Sequence, residues 1–220
     1  MDDGRLAFLQ EIFACSPDVA VSIGRRALDR HYPVSTVILN QGDRADATFL
    51  LVVGRAHALN YGSEGQVVLL REFLRGDFFG AIALADSMPE EADIVAIEHV
   101  HTSMFRAADF LALIESYSCV GLVVSRMLLR QLRASSVRIV ENTTLSAAGR
   151  IYAELLRLAR LGDGKTIRPP PVLSALATRV HSTRETVSRT INALERRGII
   201  RRDAGALFIV APNRLEEMTI

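Results

Sequence analysis

The chain between Val34 and Phe105 consists of short β-prone segments, and glycine ends nearly every one of them. The apolar segments are Val37–Leu39, Thr48–Val53, Val67–Leu70 and Ile94–Ile97. The glycines in the turns between them are Gly42, Gly54, Gly62, Gly65, Gly76 and Gly80. Many short strands separated by glycine turns are typical of a β sandwich or roll. The same regularity argues strongly against a single helical domain in this part of the chain.

The first thirty residues have a helical pattern instead. The apolar residues that form one helical face are Leu6, Phe8, Leu9, Ile12 and Phe13. The segment Ser16–Asp18, with proline in its middle, predicts the start of a second helix. Pro33 marks the change from helices to strands.

The composition limits the classes of protein that this sequence can encode. Its 220 residues, 49% of them hydrophobic, suffice for a larger and a smaller domain. No apolar run approaches the length of a membrane span, and residues 1–5 lack the basic-then-apolar pattern of a signal peptide. We therefore expect a cytoplasmic protein that does not enter a membrane.

Residues that could carry chemistry are too dispersed to indicate an enzyme. Cys15 and Cys119 are far apart in the sequence and suggest neither a disulfide framework nor a zinc site. The sequence contains no recognisable nucleophile–base pair, metal constellation or phosphate-binding loop. We expect no catalytic residues, no metal ligands and no cofactor.

Charge is distributed unevenly, although the net charge is only +1. The segment Asp86–Asp93 is acidic, whereas Arg179–Arg202 contains seven arginines. A basic C-terminal module on an otherwise balanced chain indicates a polyanionic partner.

The segment Ser182–Arg189, inside this basic region, has the pattern of a helix start. Ser182 or Thr183 can cap the free N–H groups, and Ser182 with Glu185 has the spacing of a capping box. The apolar residues of its inner face are Val187, Ile191 and Leu194. The residues left on the outer face are Arg184, Glu185, Ser188 and Arg189. Because Arg can donate two hydrogen bonds to guanine and Glu can accept one from cytosine, the pattern indicates a helix that reads the major groove.

The surrounding sequence predicts a winged helix-turn-helix. A hinge at Asn142–Ser146 is followed by a helix that Ser146 is expected to cap. A second helix, Val172–His181, precedes the recognition helix. His181 occupies the turn, where glycine is commoner because the backbone there usually needs positive φ. Leu207–Val210 is expected to form the wing, with Arg201 and Arg202 as candidate phosphate contacts.

We predict one long helix from about Ala107 to Asn142. The residues of a heptad seam along it are Tyr117, Gly121, Val124, Leu128, Gln131, Ser135 and Arg138. A second apolar set consists of Leu113, Val120, Val123, Met127 and Leu132. A helix with two such surfaces packs one on its own domain and the other on a second copy, which predicts a two-fold dimer. The first five seam residues are the expected dimer interface.

Three glycine motifs resemble the β-roll of the family of cyclic-AMP receptors and fumarate-nitrate regulators, the CRP/FNR family. They are Gln41–Asp43, the strand ending at Gly54–Arg55, and Gly76–Gly80. The resemblance continues through the long helix and Arg184–Arg189 to about Pro212. It implies an α+β protein with an N-terminal cyclic-nucleotide-binding-like β-roll, a long dimerisation helix and a C-terminal winged helix-turn-helix. The corresponding boundaries are 1–106, 107–142 and 143–220.

The resemblance also implies a function. It makes the protein a bacterial, dimeric transcription regulator that binds double-stranded DNA at a palindrome and has RNA polymerase as a partner. Glu185 and Arg189 then read cytosine and guanine in the family's TGA core. Arg184 matches the position that reads an additional G·C pair in the cyclic-AMP receptor type, and Ser188 matches the serine of the fumarate-nitrate type. Half-sites of the TGTGA and TTGA types therefore both stay open. The other expected DNA contacts are Thr183, Arg201 and Arg202.

The nucleotide pocket departs from the family pattern. In members that bind cyclic AMP, Glu follows the last Gly of the motif, and an Arg followed by Ser or Thr pairs with the cyclic phosphate. Here Gly80 is followed by Ala81, and the Arg and hydroxyl positions are Glu91 and Ala92. Coulomb repulsion from the acidic residues disfavours an anionic ligand, so we predict DNA binding independent of cyclic AMP. Ser135 and Ser136 match the positions that contact the adenine base in the family. The alternative is that they are simply surface residues or residues of the dimer seam.

The sequence bears on three effector chemistries other than cyclic AMP binding. A cluster of iron and sulfur needs several cysteines near the N-terminus, where this chain has only Cys15. His99 and His101, on one side of a predicted strand, suit a shared haem or metal site, but no third ligand is identifiable and a solvated strand face is the favoured alternative. Cys119 is an alternative redox switch, although its apolar surroundings favour an inert core cysteine. Two alternatives stay open: the same fold responding to an unidentified effector such as haem, a metal or another small molecule, and an architectural DNA binder without an effector, which has little preference for a palindrome.

Overall fold

The structure, a computed structural model, describes residues 3–61, 67–82 and 89–219. The predicted turn glycines Gly62 and Gly65 and the acidic Asp86 lie outside these ranges. The chain forms two compact units, Met1–Leu132 and Arg133–Ile220.

The first unit begins with two short helices, α1 (Asp3–Phe13) and α2 (Pro17–Gly24), as the sequence predicts. The strands that follow are β1 (Leu28–Tyr32), β2 (Val37–Leu39), β3 (Ala47–Val53), β4 (Ala56–Tyr61), β5 (Val67–Phe73), β6 (Phe78–Gly80), β7 (Asp93–Ala96) and β8 (Val100–Arg106). They form two antiparallel sheets with the strand orders β1-β8-β3-β6 and β2-β7-β4-β5. The predicted roll of short strands is confirmed.

Strand β3 joins the two cores of this unit because its side chains alternate between the faces of the sheet. Phe49 stacks on Phe79 in the core between the sheets, with 5.1 Å between ring centroids. Leu50, its neighbour, belongs instead to the core that the helices cover, together with Phe13 and Phe110. A register slip of one residue would exchange the two sets.

Two turn glycines are required by close backbone approach as well as by positive φ. A Cβ on Gly54, where φ is +88°, would lie 2.3 Å from the carbonyl oxygen of His99. A Cβ on Gly80, where φ is +80°, would lie 2.5 Å from the carbonyl oxygen of Ala47. Both contacts are too short for any side chain, so glycine is needed where these strands turn.

The prediction of one helix from Ala107 to Asn142 is wrong. The chain forms α3 (Ala107–Ser116) and α4 (Ser118–Thr144), with Tyr117 between them in an extended conformation (φ −128°, ψ 104°). The helix axes meet at 110°. This bend lets residues of both helices pack into one core, whereas a single straight helix would extend away from that core. Among the described residues, no single helix is long and apolar enough to cross a membrane. Two bent pairs of helices, α1–α2 and α3–α4, reach such a length and composition together.

Helix α4 buries one face and exposes another apolar one. Val120, Val124 and Met127 pack into the core of the first unit, and Val124 is only 7% exposed. The prediction that Val124 faces a second copy is therefore wrong. The exposed apolar residues of the helix are Leu122, Leu128, Leu129, Leu132, Val137, Ile139 and Val140. Four of them follow a heptad spacing and are called the α4 stripe below: Leu122, Leu129, Leu132 and Ile139. The stripe lies one residue further along the chain than the predicted seam.

The second unit contains the last turns of α4 and a small helical domain with a three-stranded sheet. Its elements are α5 (Ala147–Arg160), β9 (Thr166–Ile167), α6 (Leu173–Arg179), α7 (Arg184–Arg196), β10 (Ile200–Arg202), β11 (Leu207–Ile209) and α8 (Pro212–Glu217). The sheet order is β10-β11-β9. Ser146 caps α5 as predicted, since its Oγ accepts from the Gly149 N–H at 3.1 Å. This is a winged helix-turn-helix, and the predicted fold class is confirmed.

Candidate nucleic-acid interface

The N-terminus of α7 is capped by Thr183. Its Oγ1 accepts from the backbone N–H of Thr186 at 3.2 Å, which satisfies one of the free donors of the first turn. The residue at the third helical position is thus Thr186, and the predicted capping box between Ser182 and Glu185 is not formed. The cap fixes the first turn of the helix, from which the candidate base-reading side chains extend.

The two faces of α7 differ as the sequence predicts. Val187, Ile191 and Leu194 are at most 1% exposed and lie in the core of the second unit. The candidate base-reading residues on the opposite face are Arg184, Glu185 and Arg189, which are exposed, and Ser188, which is half-buried. Because the inner face is anchored in a core, the outer face is presented on a rigid helix.

Glu185 is an acceptor at neutral pH. Its own backbone N–H and the hydroxyl of Thr183 hold the pKa of its carboxyl below the usual range. Arg184 and Arg189 add smaller contributions in the same direction. A carboxylate in this state can accept from the N4 amino group of cytosine, the role that the sequence assigns to it.

The turn between α6 and α7 contains His181 at positive φ (+49°). The conformation is the one for which glycine is usually chosen, and a histidine adopts it at a steric cost. The N–H of the next residue, Ser182, donates to the carbonyl of Ala177 at 3.0 Å. The imidazole Nδ1 of His181 lies 3.2 Å from the side-chain nitrogen of Asn142, at the end of α4. The expected turn geometry is present despite the unusual residue.

Arg150 holds this turn against the start of α5. Its guanidinium donates to the carbonyls of Val180 at 2.9 Å, His181 at 3.3 Å and Leu145 at 3.0 Å. No periodicity in the sequence indicates this role, because two of the three contacts run from a side chain to backbone atoms about thirty residues away. Arg150 is a positioning residue for the helix-turn-helix.

The wing carries two arginines with different surroundings. The Asp203 carboxylate accepts from the N–H groups of Gly205 and Ala206 at 2.8 Å each and so closes the turn between β10 and β11. Arg201 is exposed, and its guanidinium lies 4.7 Å from the centroid of the Phe208 ring.

Arg202 is instead bound inside the unit. Its Nη2 lies 2.5 Å from Glu195 and 2.8 Å from the Asn192 side-chain oxygen, and its Nε lies 3.2 Å from Glu195. These contacts fasten β10 to the C-terminal half of α7. Of the two predicted phosphate contacts, Arg201 has the accessible guanidinium, whereas Arg202 serves the structure of the wing.

A buried carboxylate ties the end of α4 to the helix-turn-helix. Glu154 is 4% exposed, pairs with Arg157 and lies 3.7 Å from Arg179 of α6. Arg157 also pairs with Glu141 of α4 at 2.9 Å. Burial, with the neighbouring charge of Arg157, lowers the pKa of Arg138. These charges connect α4, α5 and α6 within the second unit.

Two family models cover most of the chain. Residues 29–117 match the model of the cyclic nucleotide-binding domain, and residues 149–218 match that of the Crp-like helix-turn-helix domain. The cyclic AMP receptor protein of Thermus thermophilus is 31% identical over 202 residues, which are 91% of either chain. The chain belongs to the CRP/FNR family. It is a transcription regulator with a helix-turn-helix DNA-binding domain, and not an enzyme.

Other CRP/FNR proteins agree with this membership. The cAMP-activated global transcriptional regulator CRP of Salmonella typhimurium is 27% identical over 77% of this chain and 83% of its own. A CooA mutant from Carboxydothermus hydrogenoformans superimposes with a TM-score of 0.82 over 96% of this chain and 95% of its own. With 17% identity, this second likeness shows the fold alone.

The positions that the sequence aligns with the family's nucleotide pocket are acidic where the structure describes them. The N–H of Ala81, the residue after Gly80, donates to the carbonyl of Ala47 at 2.9 Å. Glu91 is exposed, and Ala92, at the hydroxyl position, is 3% exposed. Burial, with the neighbouring charge of Glu91, raises the pKa of Glu90. The serines at the adenine positions, on α4 in the second unit, are Ser135 and Ser136, both exposed.

The structure does not support a shared ligand for His99 and His101. His99 is exposed and directly precedes β8, which begins at Val100. His101 instead stacks on His31 of β1, with ring centroids 4.2 Å apart, and its Nε2 lies 3.3 Å from Asp29. In the part of the chain that the structure describes, no three His, Cys, Asp or Glu side chains are grouped to hold a metal ion.

Proposed function

We propose that the chain is a homodimeric regulator that reads a two-fold symmetric DNA site with half-sites of the TGTGA or TTGA type, independently of cyclic AMP. The observation that carries the proposal is the capped first turn of α7, which presents Arg184, Glu185 and Arg189 on the face opposite its buried side. Glu185 accepts from cytosine and Arg189 donates to guanine, and these are the bases of a TGA core. Membership of the family makes RNA polymerase the expected protein partner.

The α4 stripe supports the dimer. Leu132 and Ile139 are 65% and 64% exposed, and Leu122 and Leu129 are about half exposed. A contiguous apolar stripe of this length is a typical site of association, and its heptad spacing fits the same stripe of a second copy. Two recognition helices related by a two-fold axis then meet half-sites about one helical turn apart.

The acidic pocket supports independence from cyclic AMP, although the names of the relatives include that nucleotide. A cyclic phosphate at the family's position would lie beside Glu90, Glu91 and Asp93. Asp93 accepts from the backbone N–H of Gln41 at 2.7 Å, so its carboxylate is part of the fold. Glu90, whose pKa is raised, is half-buried, and each of these groups repels an anion when it is ionised.

The DNA site is tested by fluorescence anisotropy with TGTGA-type and TTGA-type palindromes and with a scrambled duplex of the same composition. The proposal predicts at least about a thousandfold preference for one palindrome at physiological salt. Equal affinity for all three duplexes would instead indicate the architectural DNA binder.

The pocket is tested by calorimetric titration with cyclic AMP. The wild-type chain is expected to show no binding. Restoring the family's residues, in the triple variant Ala81→Glu, Glu91→Arg and Ala92→Ser, is expected to create binding because it supplies the missing cation and hydroxyl. Wild-type binding of cyclic AMP would contradict the proposal whatever the variant does.

A further inference from the structure

The end of α4 is attached to the second unit by polar contacts. In the part of the chain that the structure describes, the apolar core of this unit consists of residues of α5, α6, α7, α8 and the three strands, and no residue of α4 belongs to it. Residues 133–144 of α4 are nevertheless grouped with this unit rather than with the first. The side chains that hold this end of the helix are therefore polar ones.

Arg157 of α5 lies at the centre of these contacts. Its Nη1 pairs with the carboxylate of Glu154, which is 4% exposed. Its Nη2 donates to both carboxylate oxygens of Glu141, on α4, at 2.9 Å. Glu154 also lies 3.7 Å from Arg179 of α6. One guanidinium thus connects the last turns of α4 to α5 and, through Glu154, to the first helix of the helix-turn-helix.

The surroundings of Arg157 make this attachment rigid. An ion pair near the surface usually contributes little, because two long side chains lose their freedom when they meet. Here the buried Glu154 already holds the guanidinium, and this planar group can bind two carboxylates at once. The pair with Glu141 therefore orders few additional groups. A second contact, between the side chains of Asn142 and His181 at 3.2 Å, holds the same end of α4 to the turn before α7.

The same segment of α4 carries part of the proposed dimer contact. Ile139, two residues before Glu141, is the last residue of the α4 stripe and is 64% exposed. A second copy that contacts Ile139 is thereby connected, through Glu141 and Arg157, to the domain that contains α7. In a dimer, the distance and the rotation between the two α7 helices then depend on this attachment. Moving one half-site by one base pair shifts it by about 3.4 Å and rotates it by about 35° around the DNA axis.

We propose that Arg157 is a positioning residue that fixes the angle between α4 and the helix-turn-helix, and thereby makes the protein selective for the spacing between half-sites. This inference rests on the proposed dimer and its two-fold DNA site. The candidate base-reading residues Arg184, Glu185 and Arg189 lie elsewhere, on the outer face of α7. A looser attachment therefore reduces the penalty for a wrong spacing and leaves the affinity of one α7 for one half-site unchanged.

The test uses Glu141→Gln, which removes the charge on α4 and leaves Glu154 with both of its arginines. Fluorescence anisotropy measures binding of the full chain to the preferred palindrome, to the same half-sites with one base pair inserted or removed between them, and to a duplex with a single half-site. The wild type is expected to lose at least about tenfold in affinity for each changed spacing, because the DNA must be deformed to fit a rigid dimer. In Glu141→Gln this loss is expected to fall below about threefold, with unchanged affinity for the single half-site.

Two further variants complete the test. Arg157→Lys keeps the charge, but an ammonium group cannot hold both carboxylates in the geometry of the guanidinium, so the same reduced loss is expected. Glu216→Gln breaks an exposed ion pair with Arg160 of the same helix and is expected to keep the spacing preference of the wild type.

The outcomes separate this inference from the proposed function. A spacing preference that persists in Glu141→Gln and Arg157→Lys would overturn the role of Arg157 and leave the two-fold DNA site intact. Equal weakening on the single half-site and on every palindrome would assign Arg157 to the fold alone and also overturn the role. A wild type that binds all spacings equally well would contradict the rigid two-fold site itself, and this inference with it.

Discussion

The guanidinium of Arg150 donates to the carbonyl of Val180 at 2.9 Å, at the point where α6 ends and the turn to the recognition helix begins. Two further donations, to His181 and Leu145, leave this one side chain holding three backbone carbonyls. The position of α7 relative to α5 therefore depends on a residue that does not lie on the proposed DNA-reading face.

Replacing Arg150 by alanine is expected to lower the free energy of unfolding by about 2–3 kcal/mol, because half-buried carbonyls lose charged donors. Urea denaturation of the isolated variant measures the change. The control is Arg160→Ala, which removes an exposed ion pair with Glu216 and is expected to cost less than about 1 kcal/mol. Equal effects of the two variants would show that the three donations contribute nothing specific.

Replacing Arg189 by alanine is expected to cost about 1–3 kcal/mol of DNA-binding free energy per half-site and to relax specificity at one base pair. The reason is the loss of two hydrogen bonds to guanine. Anisotropy titrations with the palindrome and with single-base variants of it measure both effects. Uniform weakening on every duplex would contradict the assignment of Arg189 to a base.

The two wing arginines are expected to respond differently to the same substitution. Arg201→Ala should weaken binding to all DNA sequences and reduce the salt dependence of binding by about one phosphate contact per half-site. Arg202→Ala should lower the melting temperature instead, because it leaves Glu195 without its partner. Salt titrations and thermal melts of both variants distinguish a phosphate contact from a structural role. A reduced salt dependence of DNA binding in Arg202→Ala, and not in Arg201→Ala, would contradict this assignment.

The ion pair between Arg202 and Glu195 also predicts a dependence of stability on pH. The Arg202 side chain holds the pKa of the Glu195 carboxyl below its usual range. The unfolded chain therefore binds more protons than the folded chain in acid, and stability rises with pH there. The contribution is fully present above the unfolded pKa of Glu195 and is lost as pH falls through the lower, folded value. Thermal melts across this acidic range should show a shallower dependence in Glu195→Gln than in the wild type, and an unchanged slope would exclude the pair as a cause.

Placing a charge in the α4 stripe is expected to dissociate the dimer. Leu132→Glu puts like charges at the contact between two copies, whereas the fold tolerates the change because this side chain is 65% exposed. Leu161→Glu, at a position 81% exposed and outside the stripe, is the matched control. Sedimentation velocity is expected to give a monomer for Leu132→Glu and a dimer for the control and the wild type. A wild-type monomer would refute the proposed assembly.

The sequence predicts the elements whose signals are local. The glycine turns at Gly42, Gly54 and Gly76, the inner face of α7 and the cap at Ser146 follow from residues within a few positions of one another, and the structure contains these features. His181 shows the limit of local signals. The turn has the usual positive φ, although the residue in it is not the usual glycine.

The errors come from contacts between distant parts of the chain. The apolar period continues without glycine or proline through Tyr117, so nothing local indicates that the helix breaks there. The same apolar period led us to predict a dimer seam one residue away from the α4 stripe, which is the exposed one. The period does not reveal that Val124 is buried, because this burial depends on the roll against which α4 packs. The contacts of Arg150 with the carbonyls of Val180 and His181 are likewise tertiary relationships.

The measurement that tests the central claim most directly is binding of the purified protein to the two palindromes, with and without saturating cyclic AMP. The account predicts tight binding to one palindrome, weak binding to the scrambled duplex, and no change when the nucleotide is added. Specific binding that appears only with cyclic AMP would contradict the interpretation of Ala81, Glu91 and Ala92. Binding without sequence preference, with or without the nucleotide, would contradict the assignment of Glu185 and Arg189 to bases.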